Sequence, residues 1–157
     1  MNLPDFLNRR RALKTLAMRY SAERCCADDT MSAQEIQALN AAVNGLDAAQ
    51  GLRFCVDSRS FLLEMLREYA CSRKDEELER LMRADDMRGT VICAHSLKSM
   101  SRTVGLVRLA ECSARLQHAA ERNSISGVRR AASRTIKLFR KTAAQIKRLP
   151  DAEGSST

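Results

Sequence analysis

The chain has no tryptophan, and its aromatic residues make up only 4% of 157 residues. Proline occurs twice and glycine six times. No run of alternating β-branched or aromatic residues between turn signals is long enough for a strand. No apolar run approaches the ~20 residues that cross a bilayer, so no membrane span is expected. Asn8-Arg9-Arg10-Arg11 has the look of a twin-arginine export signal. Arg19, Glu23 and Arg24 follow where an apolar region would be needed, which excludes that reading and favours a cytoplasmic location. The six cysteines (Cys25, Cys26, Cys55, Cys71, Cys93 and Cys112) form no C-x-x-C pair and no zinc-finger spacing. Buried free thiols in a reducing compartment are the simpler reading. There is no Gly-rich phosphate loop, no nucleotide motif and no arrangement of acids suited to Mg²⁺. The chain therefore offers no catalytic apparatus of its own, and neither a cofactor nor a metal site is expected.

What is present favours helices. Apolar residues are 45% of the total, with Leu, Ala, Met, Arg and Glu prominent. The length suits one domain with an appendage and allows a proper core. The formal net charge is +8. Part of it comes from Arg9, Arg10, Arg11, Lys14, Arg19 and Arg24, and part from the stretch between Arg129 and Arg148. Charge alone admits nucleic acid, an anionic membrane surface or an acidic protein as partner.

Leu3 to Tyr20 reads as a basic amphipathic helix, packed on the rest or acting as a linker. Ser32-Ala33-Gln34-Glu35 matches a capping box and opens a short helix that stops near Asn44-Gly45. Leu46 to Asp57 reads as irregular, with Leu52, Phe54 and Val56 closing one end of the core. Ser58 is a candidate N-cap for a helix through Cys71, and Phe61, Leu62, Met65, Leu66 and Tyr69 supply its stripe. A charged hinge at Ser72 to Asp75 precedes Leu78, Leu81 and Met82; one kinked helix and two separate ones both fit. Asp85 and Asp86 begin the next helix, which Gly89 weakens by about 1 kcal/mol relative to alanine. After Gly105, Leu106, Leu109, Cys112, Ser113, Leu116 and Ala120 form one stripe. Val128, Ala132, Ile136, Phe139, Ala143 and Ile146 form another, ending before Pro150. Short connections between amphipathic helices predict an all-α fold, an antiparallel up-and-down four-helix bundle with additional N-terminal helices. The expected organisation is a basic N-terminal segment over residues 1–31, a bundle domain over 32–149 and a disordered tail over 150–157.

The helix over Asp85 to Val104 carries the informative residues. At 100° per residue, Arg88, Val91, Ile92, Lys98, Ser99 and Arg102 fall within about 60° of His95. Thr90, Cys93, Leu97, Met100 and Val104 fall opposite and read as the core stripe. His95 is therefore expected at the surface, with Lys98 one turn along. Val91 and Ile92 stand where a solvated face would carry polar groups.

His95, Leu97, Lys98, Ser99, Ser101 and Gly105 together resemble the phosphorylation-site helix of histidine-containing phosphotransfer (HPt) domains. The usual signature there is His, Leu two residues on, Lys three on, small residues, and Gly ten after the His. Ser99 departs from it, since glycine is commoner there. The resemblance runs over roughly Leu46 to Leu149. It implies that His95 takes a phosphoryl group from a receiver-domain aspartate and gives it to another. Lys98 would steady the phosphate, and Ser99 and Ser101 would leave room for the partner. Imidazole suits this work because it offers a nitrogen that is neutral near neutral pH. The implied protein is a phosphohistidine carrier and not an enzyme, since the receiver brings the metal and the acceptor aspartate. The implied partners are receiver domains, a hybrid sensor histidine kinase, or both. Arg88, Val91, Ile92, Ser99, Arg102 and Gly105 are the expected partner contacts. His118 lies opposite its own helix's stripe and reads as solvated. Cys93, His95 and His118 do not have the spacing of a metal site. A basic nucleic-acid-binding bundle and a non-catalytic adaptor bundle remain the alternatives, although no helix-turn-helix signal supports the first and no nucleic acid is expected.

Overall fold

Side-chain caps set the helix starts. A computed structural model describes residues 29–150. Ser32 begins α1 (Ala33–Ala42) with the expected capping box: Glu35 N–H donates to Ser32 Oγ, and Ser32 N–H donates to Glu35 Oε2. Asp47 caps α2 (Ala48–Phe54), Ser58 caps α3 (Arg59–Ala70), Asp86 caps α5 (Met87–Thr103) and Ser124 caps α7 (Ile125–Ile146). α4 (Lys74–Arg83) and α6 (Val107–Glu121) start without a side-chain cap. Among the described residues the fold is all-helical, apart from one isolated antiparallel bridge between Leu46 and Leu106.

The helices from α3 onward follow one another through connections of three residues each. Each connection contains one residue with positive φ: Arg73, Asp85, Gly105 and Asn123. A left-handed residue redirects the chain in little space, and Asp, Asn and Gly tolerate it best. Arg73 separates α3 from α4, so the charged hinge joins two helices and does not kink one. Both pack along α7, where Tyr69 meets Phe139 with ring centroids 5.4 Å apart. Arg140 of α7 donates to Asp75 and Glu79 of α4, each at 2.8 Å. Further along, Arg129 lies 3.7 Å from Asp85. The α3–α4 rod thus runs antiparallel to α7, and α5 and α6 complete a four-column bundle.

The core is aliphatic, with Leu62, Leu66, Leu78, Leu97, Leu109, Leu116 and Ile146 among its fully buried side chains. This matches the apolar spacing of the sequence, since a stripe at three- and four-residue intervals must face the neighbouring helices. Two expectations for Leu46–Asp57 are corrected. The segment is not irregular, because Asp47 nucleates α2 by accepting from Gln50 N–H at 3.0 Å. Phe54 and Val56 do not close the core: they are 39% and 48% exposed, and only Leu52 of the three is buried. The cause is local. Val56 and Asp57 both have φ of 55°, which turns the chain away from the core before α3 begins.

The basic segment Leu3–Tyr20, Cys25, Cys26 and the tail over 151–157 lie outside the described residues. Among those described, no helix is long and apolar enough to cross a membrane.

Candidate functional site

α5 is the helix that presents His95, and its start is fixed tightly. Asp86 Oδ1 accepts from Gly89 N–H at 2.8 Å. A Cβ on Gly89 would stand 2.4 Å from Leu81 Cδ2 of α4 and 2.5 Å from Asp86 Oδ2, so the tip of Leu81 or the cap carboxylate would have to shift to admit one.

α5 turns Thr90, Cys93, Ala94 and Leu97 into the core. His95 is half-buried on the other side, with Arg88, Ile92 and Arg102 exposed around it. The His95 ring has no hydrogen-bond or ion-pair partner among the described residues. Ile92 is 58% exposed, an aliphatic side chain in water beside the His95 imidazole. Lys98 and Ser99 are half-buried on the same face. Lys98 Nζ donates to Gln117 Oε1 of α6 at 2.7 Å, and Gln117 Nε2 donates to Glu121 Oε1 at 2.6 Å. Lys98 is therefore held in place by a neutral acceptor and keeps its charge free for an anion. Arg88 and Arg102 form no ion pair among the described residues, so the face around His95 is electropositive.

The sequence carries no signal that marks Gln117 and Glu121 as neighbours of Lys98. They reach this face from another helix, and how α6 packs on α5 decides which of its residues lie across from Lys98.

Three placements correct the sequence reading. Val91 is half-buried and packed against the core, so it borders the face and does not stand free on it. Ser101 is fully buried: its Oγ donates to the Leu97 carbonyl at 2.6 Å and lies 2.7 Å from the Tyr69 hydroxyl. With its one proton used on Leu97, Ser101 accepts from Tyr69, so it is a core tie between α3 and α5 and leaves no gap for a partner. Burial, partly offset by the Ser101 bond, raises the Tyr69 pKa above the usual phenol range.

Gly105 is the third. It is buried and cannot meet a partner. Its φ is +78°, and a Cβ there would lie 2.2 Å from the Asp47 carbonyl oxygen. Its own carbonyl accepts from Asp47 N–H at 2.8 Å. Gly105 thus presses the α5–α6 turn onto the start of α2.

His118 is exposed, as its helix position implied. Cys93 is buried, and burial, reinforced by Glu77, pushes its thiol up to about 12. Burial does the same to Cys55. Among the described residues no three His, Cys, Asp or Glu side chains gather as a metal site would require.

A family model described as Hpt domain matches residues 59–149, which takes in all of α3 to α7. No curated protein and no solved structure gave a significant match.

Proposed function

The chain belongs to the Hpt domain family, whose members are phosphocarriers of two-component systems, and from that premise we propose that His95 is the residue that carries the phosphoryl group. In this reading a receiver domain's aspartyl phosphate docks against α5. The lone pair of a His95 ring nitrogen forms the N–P bond as the P–O bond to the aspartate breaks. The carboxylate leaves with its electron pair. The reverse step delivers the group to the aspartate of another receiver.

One observation carries the reading: His95 is an unpartnered imidazole on the outer face of α5, with the Lys98 ammonium fixed one turn away by Gln117. Transfer of this kind depends on positioning and charge stabilisation, and the chain's share is to hold the nucleophile and a cation in register. Lys98 would leave Gln117 for the phosphoryl oxygens, since a charge-assisted bond is stronger than one to a neutral amide. Arg88 and Arg102 would draw an acidic receiver mouth, and Ile92, with the edge of Val91 and Ser99, would give it an apolar contact. The chemistry beyond this comes from the receiver, so the chain acts as a carrier and not as an enzyme. The cytoplasm is the proposed location, where the free thiols of Cys55, Cys71, Cys93 and Cys112 would remain reduced.

The test is phosphoryl transfer from a labelled receiver. The wild-type chain should take up label that is lost in acid and kept in base, as a phosphoramidate is. His95→Gln should take up none, while its stability changes by only ~0.5 kcal/mol, as for most surface substitutions. His118→Gln should label normally. Stoichiometric label on the His95→Gln protein would refute the assignment.

A further inference from the structure

α7 carries Arg129, Arg130, Arg134, Lys137, Arg140 and Lys141 and no acidic residue. Its cations divide by direction. Arg129 and Arg140 face the α3–α4 rod and find Asp85, Asp75 and Glu79 there. Arg130 and Arg134 face α6 and find no carboxylate among the described residues. Arg115 of α6 stands on the other wall, also without an acid. Between the walls lies a groove of about 340 Å³, whose lining also includes Ala119, Ala131 and Ser126.

Three arginines lining one part-apolar groove place like charges near one another, and an anion bound among them would turn that repulsion into attraction. Arginine's planar fork matches the oxygens of phosphate in paired hydrogen bonds. Arg130 and Arg134 are one helical turn apart, about 6 Å along the axis, so both forks can address one group while Arg115 closes from across. The volume sits at the small end of ligand pockets, enough for a compact molecule. An anion of two or three negative charges would offset most or all of the three positive ones.

We propose that the α6–α7 groove binds a phosphate-bearing small molecule, with its phosphate oxygens held by Arg115, Arg130 and Arg134. Arg115 and Gln117 are two residues apart, about 200° around α6. The groove therefore opens on the side of α6 away from His95. Its occupant and a partner docked at His95 can be bound together, and the proposal does not depend on His95 being phosphorylated.

Cys112 lines the groove and is half-buried, which makes it a built-in reporter. Cys71 is exposed on the α3–α4 connection and serves as the control. The full chain is alkylated with iodoacetamide at fixed ionic strength of about 0.15 M while pyrophosphate is titrated in, and each cysteine is followed by mass spectrometry. Pyrophosphate should slow Cys112 at least about fivefold and leave Cys71 unchanged. Arg130→Gln and Arg134→Gln should each raise the half-protecting concentration about tenfold, with the melting temperature preserved because both residues are exposed. No protection, equal protection of Cys71, or protection unaltered in both variants would overturn the proposal. So would equal protection by citrate, which would reduce the groove to a general anion trap. Stronger protection by a single-stranded oligonucleotide than by pyrophosphate would overturn it in favour of nucleic acid.

Discussion

Replacing Gly105 with alanine separates a structural glycine from a docking one. At φ +78°, alanine incurs the left-handed penalty of about 1–2 kcal/mol. The new methyl would stand 2.2 Å from the Asp47 carbonyl, a backbone atom that cannot rotate away. The α2 start must therefore retreat by roughly an ångström to reach a normal contact. That retreat loses the Asp47 N–H···O=C Gly105 bond of 2.8 Å, worth about 1 kcal/mol. The sum is roughly 3 kcal/mol, or a fall in melting temperature of about 10 °C for a domain of this size. Thermal unfolding followed by circular dichroism measures it. Phosphoryl uptake assayed well below the new midpoint should be close to wild type, because Gly105 does not reach the His95 face. An unchanged melting temperature with transfer abolished would show that Gly105 contacts the partner and that the steric argument is wrong.

Lys98→Ala should slow phosphoryl uptake or shorten the lifetime of the phosphorylated form by about tenfold without abolishing labelling, since the imidazole and not the lysine makes the bond; complete loss would contradict this division of labour. Ile92→Asp should weaken receiver binding about tenfold and leave the melting temperature within about 2 °C, and normal binding by that variant would remove Ile92 from the docking face. Cys55 and Cys93 should resist alkylation at pH 8 while Cys71 reacts, because burial holds both thiols up to about 12. The folded chain keeps those protons where the unfolded chain, starting from 9.0, releases them. Stability should therefore fall as pH rises from about 9 toward 12, and alkaline denaturation midpoints unaffected in Cys93→Ala would count against that linkage.

α3, α5, α6 and α7 were legible because each combines an apolar stripe with a start or stop signal, whereas the sequence left open whether Leu78, Leu81 and Met82 belong to a separate α4 or to a kinked continuation of α3. Ser58, Asp86 and Pro150 are such signals, and Leu97 and Leu116 mark stripes that found their places. α2 was not legible: seven residues cannot display a helical period, and its burial rests on Ala48, Gly51 and Leu52. At the site, angular position alone put His95, Ile92, Lys98 and Arg102 on one face. Ser101 lay off that face, and only the resemblance implied that it left room for a partner. Angular position misjudged Val91, since what is buried at a helix flank depends on how closely the next helix approaches. Gln117 was beyond reach for the same reason, as was the part Gly105 plays against a backbone fifty-eight positions earlier in the chain.

The three-residue connection around Gly105 acts on the site as a gear tooth acts on a shaft. A residue added or removed there that the turn could not absorb would shift α6 along or around its axis relative to α5. Gln117 would swing off Lys98, and the lysine beside His95 would lose the amide that aims it. A turn of fixed length is thus part of the specification of the His95 face, although none of its atoms touches that face. The rotational phase of the hairpin, and not only the identity of the residues on it, is what the chain must preserve for a cation to stand one turn from His95.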